Sequence, residues 1–419
     1  MSGPEETRRS ARPWLTPPWR TALFLTVAGG FNYADRSALN AVLPAVAAEM
    51  GLGSAALGLL GSLFLWSYAV GSPFAGIAGD RFPRRTLVTI SLVAWSVVTI
   101  LTGCARTYAE LAVLRVALGL AECLYIPTAV ALLAEQHGPA TRGRAVGLAM
   151  IGIQVGSTVG GTLSGLLADH HSWRTGFWIL GAGGLLLALF ARPMLGPAPG
   201  TTPGGPGRSG SWREPFAVLL RSPLYLLLLA ATGLGSIGLW AMATWLPLFL
   251  KEEYDMSLGA SGFYGTFTLA LSVILGAVAG GWLSDRFARG HVGRRLLLMA
   301  ASSLISAPAA VIFLLGLPFP WLFAAMVLTG FVGSVGGTNL IPLMCDAVPP
   351  AGHATAQGVM NTLSVIAGGA GVVLAGILKP SVGLDVLFAA RGGIALLVAG
   401  LYLYAYLAWH RHQSARTTG

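Results

Sequence analysis

Residues 75–85 read "AGIAGDRFPRR", and residues 279–295 repeat the pattern as "AGGWLSDRFARGHVGRR". Each copy follows another matching pair, "LPAVAAEMGLGSAALG" at 43–58 and "LPLFLKEEYDMSLGASG" at 246–262. Pro247 follows Pro44 by 203 residues, and Asp285 follows Asp80 by 205. A repeat at about half the chain length indicates that the protein contains two halves of similar structure in parallel orientation.

The composition places both halves in a lipid bilayer. The chain is 54% hydrophobic and only 10% charged, and its mean hydropathy is +0.70. Backbone polar groups in a bilayer must pair within the protein, and the apolar runs do not alternate as barrel strands do, so we expect helices. Runs of spanning length lie near residues 21–48, 57–79, 87–104, 108–134, 144–168, 174–192, 223–250, 258–283, 296–316, 321–345, 355–378 and 384–409. We therefore predict an all-α integral membrane protein with twelve transmembrane helices in two six-helix bundles.

A segment rich in Pro, Gly and Ser separates the two groups of runs and is typical of a flexible linker. The predicted organisation is a cytoplasmic N-terminal tail (1–20), an N-terminal six-helix bundle (21–192), a cytoplasmic linker (193–221), a C-terminal six-helix bundle (222–410) and a cytoplasmic C-terminal tail (411–419). The N-terminal tail lacks the short apolar core of a cleaved signal peptide, so we expect the first helix to stay in the membrane.

Arginine is concentrated in the tails and in alternate loops, whereas the opposite loops hold only Arg106, Arg174, Lys251 and Lys379. Loops that stay in the cytoplasm carry such an excess, so both termini are predicted to be cytoplasmic in a multi-pass protein of the cell membrane. The net charge of +10 is distributed among these loops. Nucleic-acid binding would need that charge on one face, so we expect the bilayer to be the partner and no nucleic acid to bind.

Four ionisable residues lie well inside the predicted spans: Asp35, Arg36, Arg115 and Glu122. Each costs roughly 2.5 to 3.5 kcal/mol at the bilayer centre unless it is paired or hydrated, so we expect them to face an internal cavity. Arg115 and Glu122 are seven residues apart, on one helix face, whereas adjacent Asp35 and Arg36 point about 100° apart. Such a cluster can couple protons to an anionic substrate, although a structural ion-pair network remains the alternative.

Enzymatic chemistry is not indicated. The sequence has no phosphate-binding loop, no metal-ligand His pair, no redox Cys pair and no Ser-His arrangement, and its histidines fall in predicted loops or tails. We therefore predict a protein that is not an enzyme, with no metal and no cofactor.

The loop "GDRFPRR", echoed by "SDRFARGHVGRR", resembles the loop signature of the major facilitator superfamily. Within it, "NYADRSAL", "RVALGLAE", "TWLPLFLKEEYDMSL" and "GVMNTLSVIAGG" are similar to the anion:cation symporter family, which includes bacterial sugar-acid permeases and sialin. The resemblance covers almost the whole chain apart from the tails and the central linker. It implies the major facilitator fold and proton-coupled symport of a small organic anion by alternating access, with the proton gradient as the energy source.

The resemblance also assigns roles. Asp35 and Glu122 match the family's proton-responsive pair, and Arg36 and Arg115 match the arginines that balance those acids or hold the substrate carboxylate. Further substrate contacts are implied for Tyr33, Gln154, Asn361 and Ser364. Tyr33 and Gln154 could equally make hydrogen bonds between helices.

The repeated loops hold the residues that resemble the family's gate. The implied gating residues are Asp80, Arg81, Arg85, Asp285 and Arg286. The alternative is that these arginines only set the topology, and both roles can hold at once.

Two departures keep a second function open. The second helix reads "GSPFAGIAGD" where many members of the symporter family have Q-x-P-G-G, and the "NYADR" run is also similar to spinster-type lysolipid carriers. The alternative is therefore a spinster-like lysolipid carrier or a drug/proton antiporter of the same superfamily. In either case we expect a monomer.

Overall fold

The computed structural model describes residues 16–196, 219–288 and 291–417. The helices of the first half are α1 (Pro17–Met50), α2 (Ser54–Arg81), α3 (Arg84–Cys104), α4 (Tyr108–Glu122), α5 (Tyr125–Gln136), α6 (Pro139–His170), α7 (Trp173–Leu189) and the short α8 (Ala191–Met194). Only Cys123 and Leu124 separate α4 from α5, and the two together form one apolar span, Tyr108–Gln136. The first half thus crosses the membrane six times.

The second half repeats this plan. Its helices are α9 (Pro223–Glu253), α10 (Leu258–Leu283) with a π-helical turn (Ser284–Ala288), α11 (Val292–Ala309) with a 3₁₀ turn (Ala310–Leu314), α12 (Phe319–Gly337), α13 (Leu340–Ala347), a 3₁₀ turn (Pro350–Gly352) and α14 (His353–Thr417). Gly383 has φ 81° and divides α14 into two spans, a conformation that favours glycine. In the described ranges the twelve predicted transmembrane helices are confirmed.

The helix ends differ from the predicted tails. Helix α1 begins at Pro17 because two consecutive prolines suit a first turn, in which the backbone N–H groups need no partner. At the other end α14 continues to Thr417, past the predicted boundary at 410. Residues 197–218 of the predicted linker lie outside the described residues.

Equivalent side chains make equivalent contacts in the two halves. These contacts extend to helices in which the sequence shows no repeat. The Ser91 hydroxyl donates to the Ala121 carbonyl, and Ser302, 211 residues later, donates to Val332. Arg84 pairs with Glu135 as Arg295 pairs with Asp346, again at an offset of 211. The segment "DRFARGHVGRR" is five residues longer than "DRFPRR", and this accounts for five of the six residues by which the offset exceeds the 205 of the loop signatures.

Small residues let α6 approach two helices at once. Carbon Cβ added to Gly152, Gly156 or Gly160 would collide with the backbone of α1, and one added to Gly165 would collide with the Leu258 carbonyl of α10. Helix α6 therefore packs against its own half on one face and against the other half on the adjacent face. Close packing through glycine is the usual way for membrane helices to associate.

We call the end of the bundle at Pro17 and Phe82 the near end, and the end at Met50 and Ser54 the far end. Hydrogen bonds between described residues of the two halves concentrate toward the far end. The Ser62 hydroxyl donates to the Gly369 carbonyl at 2.7 Å, and both carboxylate oxygens of Asp169 accept backbone N–H groups at the start of α10. A buried apolar cluster from both halves, which includes Val42, Trp245 and Phe249, lies there as well. The structure is thus closed at the far end.

Candidate functional site

Helix α1 carries adjacent opposite charges into the first half, and their side chains contact different helices. Asp35 accepts a hydrogen bond through Oδ2 from the Thr99 hydroxyl of α3 at 2.8 Å. Arg36 donates from Nε to Oε2 of Glu122 on α4 at 2.7 Å. The divergence of the two side chains follows from the 100° turn between neighbouring residues of a helix.

Both carboxylates are buried and incompletely paired. Asp35 is 2% exposed and Glu122 is 0% exposed. Atoms Asp35 Oδ1 and Glu122 Oε1 have no hydrogen-bond partner, and neither has the amide of buried Asn32, which lies beside Glu122. A buried acceptor without a partner costs about 1 to 3 kcal/mol, and more when it is charged. Each carboxylate therefore has one oxygen at which a proton can be accommodated.

Aromatic rings surround Arg36. Its guanidinium carbon lies 4.6 Å from the ring centre of Tyr33 and 4.9 Å from those of Phe64 and Tyr68. Ring faces attract cations at these distances. The rings and the Glu122 carboxylate together fix Arg36 in place.

Arg115 is left without an ion pair. It is 3% exposed, on the buried face of α4 that also carries Glu122, and its guanidinium carbon lies 5.9 Å from the Phe177 ring centre. Within the described part of the chain no carboxylate oxygen lies within 4.0 Å of it, and its Nε and Nη2 atoms have no partner. A positively charged donor group is thus available for a ligand.

Arg36 and Arg115 line a cavity to which both halves contribute. Asn40 and Phe64 belong to its wall in the first half, and Trp240 and Thr244 of α9 belong to its wall in the second. The lining therefore has two guanidinium groups, a hydroxyl and an amide among aromatic rings. This chemistry suits a small anion that carries further hydroxyl or apolar groups.

The other predicted substrate contacts lie outside this lining. Gln154 is partly exposed on α6, and Asn361 is exposed on α14. Ser364 shares a hydrogen bond of 2.7 Å with Ser236, inside the second half. Tyr33 is not part of the lining, but its ring contacts Arg36, which is. In this conformation the structure brings together the four charged residues but not these polar ones.

The predicted gating residues lie at the near end. Arg81 and Arg85 are exposed, as are Asp285 and Arg286 of the π-helical turn, and Arg286 lies 5.9 Å from the Trp282 ring centre. The Asp80 side chain lies outside the described side chains. In each half the ion pair at this end is made by another arginine, Arg84 with Glu135 and Arg295 with Asp346.

Sequence reasoning missed several residues of the site. Thr99, Asn32 and Trp240 carry no charge and occur in apolar helices, where a lone polar or aromatic residue is common. The polarity of Asn32, three residues before Asp35, is the one signal that could have drawn attention to it.

Comparison with known proteins agrees with this geometry. The model of the Major Facilitator Superfamily matches residues 25–371 and 269–418. A protein of Mycolicibacterium smegmatis named MFS-type efflux pump is 28% identical and aligns with 96% of this chain and 95% of its own. The hexuronate transporter of Bacillus subtilis is 25% identical, with 92% of each chain aligned.

A solved structure shares the fold. It is a bacterial homolog to the human lysosomal transporter Spinster in an inward-facing and unoccupied conformation, with a TM-score of 0.82 and 20% identity over 96% of this chain and 98% of that one. The twelve helices, the duplicated loops and the family match lead to one conclusion: this chain is a membrane transporter, not an enzyme, and belongs to the Major Facilitator Superfamily.

Proposed function

We propose that the protein couples protons to the symport of a small organic anion, a sugar acid or related carboxylate, by alternating access. The observation that carries this proposal is the unpaired guanidinium of Arg115 in a cavity bounded by both halves, with two buried carboxylates close by. The hexuronate transporter name of one relative supports the sugar-acid class.

The contacts suggest different roles for the two arginines. Arg115 has free donors and takes the substrate carboxylate. Arg36 is engaged by Glu122, so it becomes available to an anion only when Glu122 gains a proton and loses its charge. Substrate and proton then bind together, and this is the condition for symport.

Asp35 contributes the second titratable site. Its Oδ1 atom is free to take a proton, while Oδ2 stays on Thr99. Protonation of Asp35 removes a negative charge near Arg115. The cavity then has a more positive potential, which favours anion binding. The proton gradient is then the only energy source that the cycle needs.

The proton gradient, together with the orientation of the chain, gives the proposal a direction. We infer from the rule of positive cytoplasmic loops that the arginine-rich near end faces the cytoplasm. The structure is then sealed toward the outside, and symport down an inward proton gradient imports the anion across the cell membrane.

A second candidate function follows from another relative. The M. smegmatis protein, which aligns with almost all of this chain, is named an efflux pump. This name favours drug/proton antiport, and the Spinster-like fold is compatible with a lysolipid carrier.

The test is uptake into proteoliposomes of labelled sugar acids, aromatic acids and lysolipids, with and without an acidic exterior. We expect gradient-driven accumulation of an acid, and its loss in Asp35→Asn and Glu122→Gln. Glu253→Gln is the matched control, because Glu253 is an exposed carboxylate at the end of α9. Transport of lysolipid or dye alone, or normal acid-driven accumulation by Asp35→Asn, would contradict the proposal.

A further inference from the structure

Arg391 introduces a positive charge into the second half, on the part of α14 that follows Gly383. Its Nη1 atom lies 2.8 Å from the sulfur of Met242 on α9, and a thioether is a weak acceptor. Within the described residues no carboxylate oxygen lies within 4.0 Å of this guanidinium. The charge thus lacks a counter-ion from the described part of the chain.

A small pocket lies beside Arg391. It has a volume of about 40 Å³ and is lined by Ser306, Thr329, Met242, Phe313 and Phe388 among others. The Phe313 and Phe388 rings pack edge to face with centres 5.1 Å apart. This volume is enough for a particle of the size of water or a small ion. The Arg115 cavity has the same volume in this conformation, but the Arg391 pocket is lined by the second half alone, so rocking of the two halves does not enlarge it for an organic acid.

The pocket is distinct from the cavity that contains Arg115. Trp240 and Thr244 face the Arg115 cavity, whereas Met242 faces the Arg391 pocket, as does Gly238 through its contact with Arg391. Residues two apart on a helix point about 200° apart, so these pairs lie on opposite faces of α9. Helix α9 is the wall between two cationic sites.

The internal repeat explains why the pocket exists. Residues that form the charged cluster of the first half have counterparts 211 positions later that line the pocket: Ala310 for Thr99, Met326 for Arg115 and Phe388 for Phe177. The counterpart of Asp35, at an offset of 203, is Gly238. A Cβ atom added there would lie 2.9 Å from Cγ of Arg391.

Arg391 itself stands where the first half has Leu180, 211 residues earlier. The second half therefore has neither Asp35 nor Arg115 at the equivalent positions, and it has an arginine on another helix. The aliphatic part of the Arg391 side chain lies where a side chain at position 238 would begin, and the pocket lies beside its guanidinium. Its polar neighbours are hydroxyls, since Ser306 and Thr329 now donate to backbone carbonyls of their own helices and can turn toward a ligand.

We propose that the Arg391 pocket binds one small inorganic anion of chloride size, which supplies the negative charge that Asp35 supplies in the first half. Water would fill the space but would leave the partly buried guanidinium without a counter-charge, which is unfavourable in a membrane interior. This site is independent of the transported anion and of the proposed symport.

The first experiment is thermal unfolding of the purified full-length protein in chloride against methanesulfonate, which is not a carboxylate, at constant ionic strength. A ligand that binds only the folded state raises Tm with its concentration, here by roughly 1.5 to 2 °C for each tenfold rise in chloride above Kd. We expect this dependence in the wild type and in Asp35→Asn, whose altered carboxylate belongs to the first half. We expect its loss in Arg391→Leu, which restores the residue of the first half.

A matched variant replaces the bound anion by a carboxylate that belongs to the chain. Gly238→Asp should pair with Arg391 directly once the Arg391 side chain turns away from the added Cβ, so its Tm in methanesulfonate should reach that of the wild type in chloride and no longer respond to chloride. If that variant does not fold, Arg391→Leu alone decides. Equal chloride dependence in the wild type and Arg391→Leu, or none in the wild type, would overturn the proposal.

Crystals grown in bromide locate the ion directly. We expect an anomalous peak beside the Arg391 guanidinium. A peak only in the Arg115 cavity, or a chloride effect that disappears in Arg115→Leu but persists in Arg391→Leu, would assign the anion to the first site and contradict the proposal.

Discussion

At the scale of single residues, the two central arginines, Arg36 and Arg115, differ in their contacts. Arg36 has a carboxylate at 2.7 Å and three aromatic rings around it, whereas Arg115 has free donors. A buried ion pair adds little stability over apolar residues, but removing one partner leaves an isolated charge. The same substitution at the two arginines should therefore have different effects on the free energy of unfolding.

We predict that Arg36→Leu lowers the free energy of unfolding by about 3 to 5 kcal/mol, because Glu122 stays buried without its partner. The double variant Arg36→Leu/Glu122→Leu should recover most of that loss. Arg115→Leu should leave stability unchanged or raise it while abolishing substrate binding. Thermal unfolding and ligand binding on the same purified variants provide the measurements, and a large loss of stability in Arg115→Leu would show that Arg115 has a hidden partner.

The depth of the four charged residues could be predicted from the sequence, since few ionisable residues occur inside the apolar runs. The residues that they contact could not be predicted. Whether Asp35 contacts Thr99 or Arg115 depends on how α1 and α3 are rotated about their axes, and this rotation is set by packing over many residues. The same limitation explains why the sequence favoured Arg85 as a near-end residue when Arg84 makes the ion pair.

At the scale of elements, α6 shows how glycine determines which helices meet. The sequence predicted a span in 144–168 despite its glycines, and the helix runs from Pro139 to His170. A string of glycines predicts that another helix packs closely against this one, but it does not predict which helix that is. In the structure one glycine face meets α1 and another meets α10 of the other half.

We predict that Gly165→Ala hinders closure of the far end, because the added Cβ would collide with the backbone carbonyl of Leu258. Gly147→Ala on the same helix is the matched control, since nothing lies within 4 Å of an added Cβ there. Alanine should even favour the helix at that position, by about 1 kcal/mol. Transport assays in proteoliposomes should show a loss for Gly165→Ala alone, and equal activity of both variants would contradict the role given to this contact.

At the scale of the whole molecule, the two halves are similar in framework and different in chemistry. The repeat predicted the two bundles, and equivalent hydrogen bonds such as those of Ser91 and Ser302 confirm a common architecture. The asymmetry lies in the side chains, because the buried carboxylates of the described residues, Asp35 and Glu122, both belong to the first half. Two bundles that meet mainly at one end can rock about their interface, and the contacts at that end then set the balance between states.

Asp169 is the contact whose removal should shift that balance. Its carboxylate accepts the Leu258 and Gly259 N–H groups at 2.9 and 2.8 Å, and so caps α10 from the other half. A cap of this kind is worth about 1 to 2 kcal/mol, reinforced by the helix dipole. It is made only while the far end is closed, so Asp169→Ala should increase the population open at that end by roughly fivefold to thirtyfold.

Spin labels on each end of the molecule measure this shift. One pair joins Gly53 and Ser381 at the far end, and the other joins Phe82 and Phe287 at the near end, on opposite halves in each case. In Asp169→Ala we expect the distance distribution of the first pair to move to longer values and that of the second to shorter ones, because rigid bundles that separate at one end approach at the other. A change at the far end alone would mean that the cap holds only a local contact, and that α10 frays without the halves rocking.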